Sequence, residues 1–466
     1  MHLQSPRSAI ILTLFKLPLI ILSFLFSLFV FSVNTATADP NYTAIDLGTL
    51  QGGAASSWGW GINELGQAVG HADAPNGLSL HAFLWDGTEM IDLGTLGTPY
   101  SWAYGINNHT QITGYSGVNG ITIHCYIWEN GVMNDIGHLP WGRGTFSRCN
   151  AINEDGVVAG VCHSSRPGWI VPYTGFTYDH GEWTELPTFG GDESQAFGIN
   201  ESGEAIGFAR YEEPDPTAPR AFIWQDEHLI DLGTLGGNLS RAEGINKHSQ
   251  VVGWTYDNEG FSRGFLWQDS VMTDLGDFGG PESWAYDIND HGQIVGSAEL
   301  PDSTRHGFLI DDGVMWDLNS IVRSNPDSVI FRGARGINEL GQIITSAVLP
   351  DETRHAYILT PDLLETGSPV PGAAGMVNSV TVRNAIPGST VHFAWGTKSG
   401  TTSLEGCGLN VSILSPRLFG NAVADSTGMA TVSVFVPGIA AGRTVFVQAG
   451  ELTSCTLSNL VRHTFE

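Results

Sequence analysis

Apolar and polar residues alternate in short runs along most of this chain, and Gly, Asn and Asp separate the runs. A period of two with turn residues between the runs reads as β-strand rather than helix. The runs also recur. The phrase S-x-A-x-G-I-N stands at 101–107 (SWAYGIN), 194–200 (SQAFGIN) and 240–246 (SRAEGIN), with SWAYDIN at 283–289 and looser copies ending at Asn63, Asn153 and Asn338. The seven Ile-Asn dipeptides lie 44, 46, 47, 46, 43 and 49 residues apart. Seven residues after the Asn stands Gly70, Gly114, Gly160, Gly207, Gly253 or Gly296, with Thr345 the exception. An apolar block follows in each copy, from HAFLW at 81–85 to HAYIL at 355–359. Most copies then close on a phrase like Asp-Leu-Gly, as at Asp92, Asp231 and Asp274.

Each copy therefore holds four short strands. The Asn-x-x-Gly step after the first suits a tight hairpin, because the Asn side chain can cap its own turn while Gly takes positive φ. Tandem four-stranded units of this length are the signature of β-propeller blades. The segment 42–48 (YTAIDLG) reads as a fourth strand without its first three, and the last repeat has three strands and no fourth. Joining them predicts an all-β, seven-bladed β-propeller closed by the N-terminal strand, which leaves no free edge. An open solenoid of the same units is the alternative.

The combination D-L-G-T-L-G-G, A-x-G-I-N, G-Q-V-V-G and H-A-F-L-W resembles the HAF-repeat family of probable extracellular bacterial proteins. The resemblance covers the repeats and implies an exported, propeller-like protein without an established reaction. It carries over no catalytic residue.

Residues 1–38 hold Arg7 and Lys16, no acidic residue, an apolar run at 17–33 and a small-x-small ending. That is the layout of a secretory signal peptide, although the run is marginal for a membrane anchor of ~20 residues. The domains expected are 1–38 (signal peptide), 39–361 (propeller), 362–376 (a Pro- and Gly-rich linker) and 377–466 (a small C-terminal β-sandwich of short alternating runs).

Composition narrows the partners. Lys plus Arg number 20 against 48 Asp plus Glu, a formal net charge of −28. Such a chain has little to offer a run of phosphates, which excludes nucleic acid, and no later segment could span a membrane. Five cysteines fit an oxidising compartment, secreted, surface-bound or periplasmic. Cys407 with Cys455 is the expected disulfide; Cys149 with Cys162 is a weaker pair that would leave Cys125 free. None has zinc-ligand spacing, and no cofactor is expected.

Candidate chemistry sits on the strand ending in Asn. Alternate positions are small, from Gly59 and Ala103 to Ala334, as crowding near an axis would require. The interleaved positions vary and make a mixed aromatic and polar ring at one mouth of the channel, which also takes in Trp60, Gln195, Phe197, Glu243 and Arg335. Trp58, Trp102, Tyr104, Arg148, Arg241, Trp284 and Tyr286 are the expected ligand-binding set, since flat aromatics stack on sugars while Arg bonds hydroxyls. The recurrent His81, His124, His306 and His355 are expected to hydrogen-bond within their own repeats rather than bind metal. An acidic loop holds Glu212, Glu213 and Asp215, which could bind Ca²⁺ or act as acid and base; a solvated loop is the plainer reading. A non-catalytic module for an extracellular glycan or protein is expected, with a polysaccharide hydrolase or lyase as the alternative.

Overall fold

The structure, a computed structural model, describes residues 40–50, 56–74, 79–140, 145–163, 173–212, 218–324, 329–362, 365–366, 369, 372–374, 376–383, 390–403, 410–413, 416–424, 429–436, 440–441, 443–451, 456–458 and 461–465. The expected signal peptide, Cys407, Cys455, Glu213 and Asp215 lie outside these residues. Among them, the chain is built almost wholly of β-strands, and no helix is long and apolar enough to cross a membrane.

Six antiparallel four-stranded sheets follow one another along the chain, each a meander of consecutive strands. Their first strands are Ser57–Ile62, Ser101–Ile106, Ser147–Ile152, Gly190–Ile199, Gly236–Ile245 and Ser283–Ile288. A seventh sheet has Ile330–Ile337, Ile343–Val348 and Arg354–Pro361 in sequence. Its next strand is Tyr42–Asp46, which runs antiparallel to Arg354–Pro361 from Tyr42 opposite Pro361 to Asp46 opposite Tyr357. The short strand Val322–Ser324 adds to its outer side in parallel.

Apolar side chains of neighbouring sheets share clusters. Phe83 and Ala68 of the first sheet pack with Ile344, Ala356 and Ile358 of the seventh. Val69 and Leu84 pack with Ala103, Ile112 and Tyr126 of the second. The third strand supplies one fully buried Phe to most sheets, including Phe176, Phe222, Phe265 and Phe308. Burying such a ring contributes about 1.5–3 kcal/mol, so the apolar block of each repeat is chiefly glue between sheets.

The turn after each first strand forms around its Asn, with Thr110 and Ser249 taking the positive φ in the two copies that lack the Gly. Asn63 Oδ1 accepts from the amides of Leu65 and Gln67, at 3.1 and 3.0 Å. Its Nδ2 then reaches the next sheet and donates to the Asn107 carbonyl at 3.0 Å. Asn107 does the same to Asn153, Asn153 to Asn200, Asn200 to Asn246, Asn246 to Asn289 and Asn289 to Asn338. Asn338 donates back to the Asn63 carbonyl at 2.8 Å. Each of these asparagines is at most 4 % exposed, so every bond is made where an unpaired amide would be costly.

The recurrent histidines also pair as expected. His81, His124 and His306 bond Asp92, Asp135 and Asp317 of the strand beside them, at 2.9, 2.9 and 2.7 Å. His355 makes the same bond to Asp46 at 2.9 Å, across the junction between the two distant chain segments.

The weaker expected pair, Cys149 with Cys162, does not form. Cys125 is bonded to Cys149 with Cα atoms 5.3 Å apart, and Cys162 is the free, buried thiol. Cys149 faces Gly160 across its hairpin, whereas Cys162 faces Ser147. The two hairpin cysteines are thus out of register, and Cys149 turns instead to the cluster shared with the preceding sheet.

After residue 361, Glu365–Thr366, Met376–Arg383 and Ala430–Val436 form one sheet. A second is built on Thr390–Gly396 and Thr444–Glu451. Val380, Val382 and Ala430 of the first and Val391, Phe393 and Val447 of the second belong to one buried cluster. Part of the stretch expected to be a linker therefore pairs into a sheet.

Candidate functional site

Every first strand carries a β-bulge at the same place. Gly59 faces Gly70 and Gly61 faces Val69, which leaves Trp60 without a partner in the ladder. The extra residue in the other sheets is Tyr104, Asn150, Phe197, Glu243, Tyr286 or Arg335. A bulge breaks the strict alternation of faces and re-aims one side chain. All seven of these residues line one cavity of about 460 Å³.

The bulge also explains the recurrent glycine. The kinked strand presses a carbonyl against the second strand, and a Cβ on Gly70 would overlap the carbonyl of Trp58. Gly114, Gly207 and Gly296 are crowded in the same way by Trp102, Gln195 and Trp284. At the exception, Thr345, the hydroxyl donates to the Gly333 carbonyl at 2.7 Å.

Three arginines and two carboxylates share the larger cavity. Arg241 lies 3.8 Å from the centre of the Phe197 ring and 2.7 Å from Glu243. Glu243 also accepts from the Trp254 indole at 3.1 Å; burial pushes its carboxyl above the ordinary range against the pull of Arg241 and Trp254. Arg335 lies between Tyr286 and Trp60, 4.2 and 5.0 Å from their ring centres. Arg148 approaches the Tyr104 ring at 5.8 Å, and its buried Nε has no hydrogen-bond partner among the described residues. Asp287 accepts from the amides of Ile288 and Ile337, both at 2.9 Å, yet burial pushes its carboxyl up to about 7.

A smaller cavity of about 340 Å³ shares Trp60, Tyr286 and Arg335 with the larger one. Of the residues expected from sequence, Tyr104, Arg148 and Arg241 line the larger cavity, Trp58 the smaller, and Tyr286 both. Trp102 and Trp284 line neither. Trp102 stacks on Tyr115 at 4.8 Å, its ladder partner, and the Arg305 guanidinium covers Trp284 at 3.9 Å. They stand two residues before the bulge, as do Trp58, Arg148 and Arg241, but here Tyr115 and Arg305 cover the rings. Trp60, Phe197, Glu243 and Arg335, named from sequence as part of the mixed ring but not in the narrowed ligand set, line the larger cavity, and Asn150, at the same position of the repeated phrase, was missed. Among the described residues no group of His, Cys, Asp and Glu is placed to hold a metal ion.

Consecutive four-stranded antiparallel sheets whose first strands line a common cavity define a β-propeller scaffold. No protein-family model matches the chain, and no curated protein matches it. Three solved structures are similar in fold. The β-propeller domain of the trilobed protease from Pyrococcus furiosus matches with a TM-score of 0.46 and 12% identity, covering 66% of this chain and 94% of that one. A fungal alcohol oxidase of the AA5 family, in complex with copper, gives 0.42 and 10% over 91% and 99%. TolB from Acinetobacter baumannii gives 0.37 and 9%, over 64% of each.

Proposed function

We propose that the chain is an exported, HAF-repeat-like protein whose seven sheets are the blades of a closed seven-bladed propeller, followed by a small C-terminal β-sandwich. The domains are 1–38, 39–361 and 377–466 around the 362–376 segment. The pairing of Tyr42–Asp46 with Arg354–Pro361 and the return of the asparagine ring from Asn338 to Asn63 support closure. Its role is non-catalytic binding of a glycan or protein at the cell exterior.

One observation carries the binding reading. The seven bulge residues meet in a single cavity, and they are the position of the repeated phrase that differs most between copies: Trp, Tyr, Asn, Phe, Glu, Tyr and Arg. A scaffold that only needed to close would have no use for that variety. Aromatic faces beside guanidinium and amide groups match the alternating apolar and hydroxyl surfaces of a sugar.

The hydrolase or lyase reading rests on Glu243 and Asp287, two carboxyls with raised affinity for protons in the same cavity. Each is already engaged, Glu243 by Arg241 and Trp254 and Asp287 by two backbone amides. That favours a structural use of both.

A polysaccharide and cell-surface glycan panel incubated with the full chain, scored for retention and for new chain ends, separates the readings. Retention without products is expected. It should weaken about tenfold or more in Tyr104→Ala/Phe197→Ala, the scale of a buried aromatic contact. Unchanged retention in the folded double variant removes the cavity from the site, and new chain ends establish an enzyme.

A further inference from the structure

The smaller cavity has a character that neither the net charge nor the repeat explains. Arg305, Arg332, Arg335 and Arg354 line it together with Trp58 and Tyr286, and among the described residues no carboxylate lines it. With Arg148 and Arg241 next door, six of the chain's 20 basic residues gather at two connected cavities of a strongly acidic protein. Like charges placed together repel, so such a cluster opposes folding unless something compensates it.

Compensation from within the chain is thin. Arg305 has one long contact with Glu299 at 3.6 Å. Arg335 spreads its charge over two aromatic faces and lies within electrostatic reach of Glu243. Among the described residues, Arg332 and Arg354 have no carboxylate partner. Arg354 is half-buried, and its proton affinity is lowered by burial and by the repulsion of Arg332 and Arg335. Some arginines elsewhere are paired closely, Arg263 with Asp257 at 3.0 Å and Asp277 beside it and Arg210 with Glu193 at 2.8 Å, while Arg220 and Arg323 have carboxylates only at 3.8 and 4.0 Å. What sets Arg332 and Arg354 apart is their shared place: exposed Arg332 and half-buried Arg354 line one cavity beside Arg305 and Arg335, open to an outside anion. Guanidinium forks take planar or tetrahedral oxyanions in two-point contacts, and the adjoining Trp58 and Tyr286 offer ring surface to the carbon skeleton bearing them.

We propose that the smaller cavity binds the oxyanion of an acidic saccharide, a uronate carboxylate or a sulfate ester, through Arg332 and Arg354, with Arg335 bridging to the larger cavity. The saccharide part rests on the proposed glycan reading; the anion contact stands on the arginines alone.

Calorimetric titration of the full chain tests this with two matched pairs: hexagalacturonate against its methyl-esterified form, and a sulfated dextran oligomer against the unsulfated one. Inorganic sulfate serves as the bare anion. At about 0.15 M salt the Debye length is ~8 Å, so the acidic surface is largely screened from the probes while direct contacts persist. A charged member should bind at least about tenfold more tightly than its neutral partner, and Arg332→Gln/Arg354→Gln should abolish that preference. The pair showing the preference identifies carboxylate or sulfate as the source. Arg332→Lys/Arg354→Lys, which keeps the charge and loses the fork, should retain part of it and guards against a folding defect in the Gln variant.

Equal binding of charged and neutral members overturns the anion site and leaves the glycan reading standing. Sulfate binding that depends on Arg354, with no saccharide bound, keeps the anion contact and removes the sugar. No binding of any charged probe, sulfate included, overturns the proposal outright.

Discussion

Two neighbouring positions at the close of each first strand differ in kind. At the very end, seven asparagines do one job seven times: each caps its own turn and donates to the next sheet. Three residues earlier, seven bulge residues share a backbone geometry and little side-chain chemistry. Identical partners force identical residues at the asparagine, because the acceptor is always a backbone carbonyl in the same place. The bulge fixes only where a side chain points. Repetition in this chain therefore marks construction, and its failure at a geometrically constant position is what the proposed recognition site rests on.

Asn200→Ala attacks the constructed end. It removes the acceptor for the Ser202 and Glu204 amides and the donor to the Asn246 carbonyl, in a residue only 4 % exposed. A loss of about 2–4 kcal/mol in urea unfolding is expected, with ligand retention by the folded fraction unchanged. Altered retention without lost stability would break the contrast between the two positions.

Asp287 sharpens it, because this residue lines the cavity and also joins sheets. A carboxyl that holds its proton more tightly folded than unfolded favours the fold in acid, fully so below pH ~4. That advantage is lost as pH rises through about 7. Wild-type stability should thus fall relative to Asp287→Asn between pH 4 and 8. About 1–3 kcal/mol is expected, kept modest because the cavity admits water to the carboxyl. Parallel stability curves for the two proteins would show that the proton affinity is ordinary.

The smallest effect is expected at His81, on the outer strands. Its pairing with Asp92 is partly exposed, so His81→Ala should cost only about 0.5–1 kcal/mol by the same unfolding measurement. A larger loss would place structural weight on the outer edge as well as the inner.

Much of this organisation is legible in the residues themselves. The Ile-Asn spacing gives the repeat, Asn-x-x-Gly gives the turn, and the His and Asp of successive strands find each other. The bulge is not legible, because alternation is read with a period of two and one extra residue looks like any other. Its trace was the glycine seven residues after each Asn, whose cause is visible only when a carbonyl is found pressing on it. Trp102 and Trp284 looked equivalent to Tyr104 and Tyr286 for the same reason. The cysteines failed differently: nearness in a hairpin favoured Cys149 with Cys162, whereas the bond crosses to the neighbouring sheet. Burial pushes the Cys162 thiol up to about 12, which leaves it little tendency to react.

The union of Tyr42–Asp46 with Arg354–Pro361 sets the order in which the molecule can be finished. A strand near one end must wait for partners some three hundred residues later, so as the chain emerges the other sheets can assemble while this seam stays open. Until it closes, Tyr42, which becomes 2 % exposed, remains in water and Asp46 lacks His355. The His355–Asp46 bond then works as a clasp, and a chain cut short before residue 354 would carry an open seam ready to capture a strand from another copy.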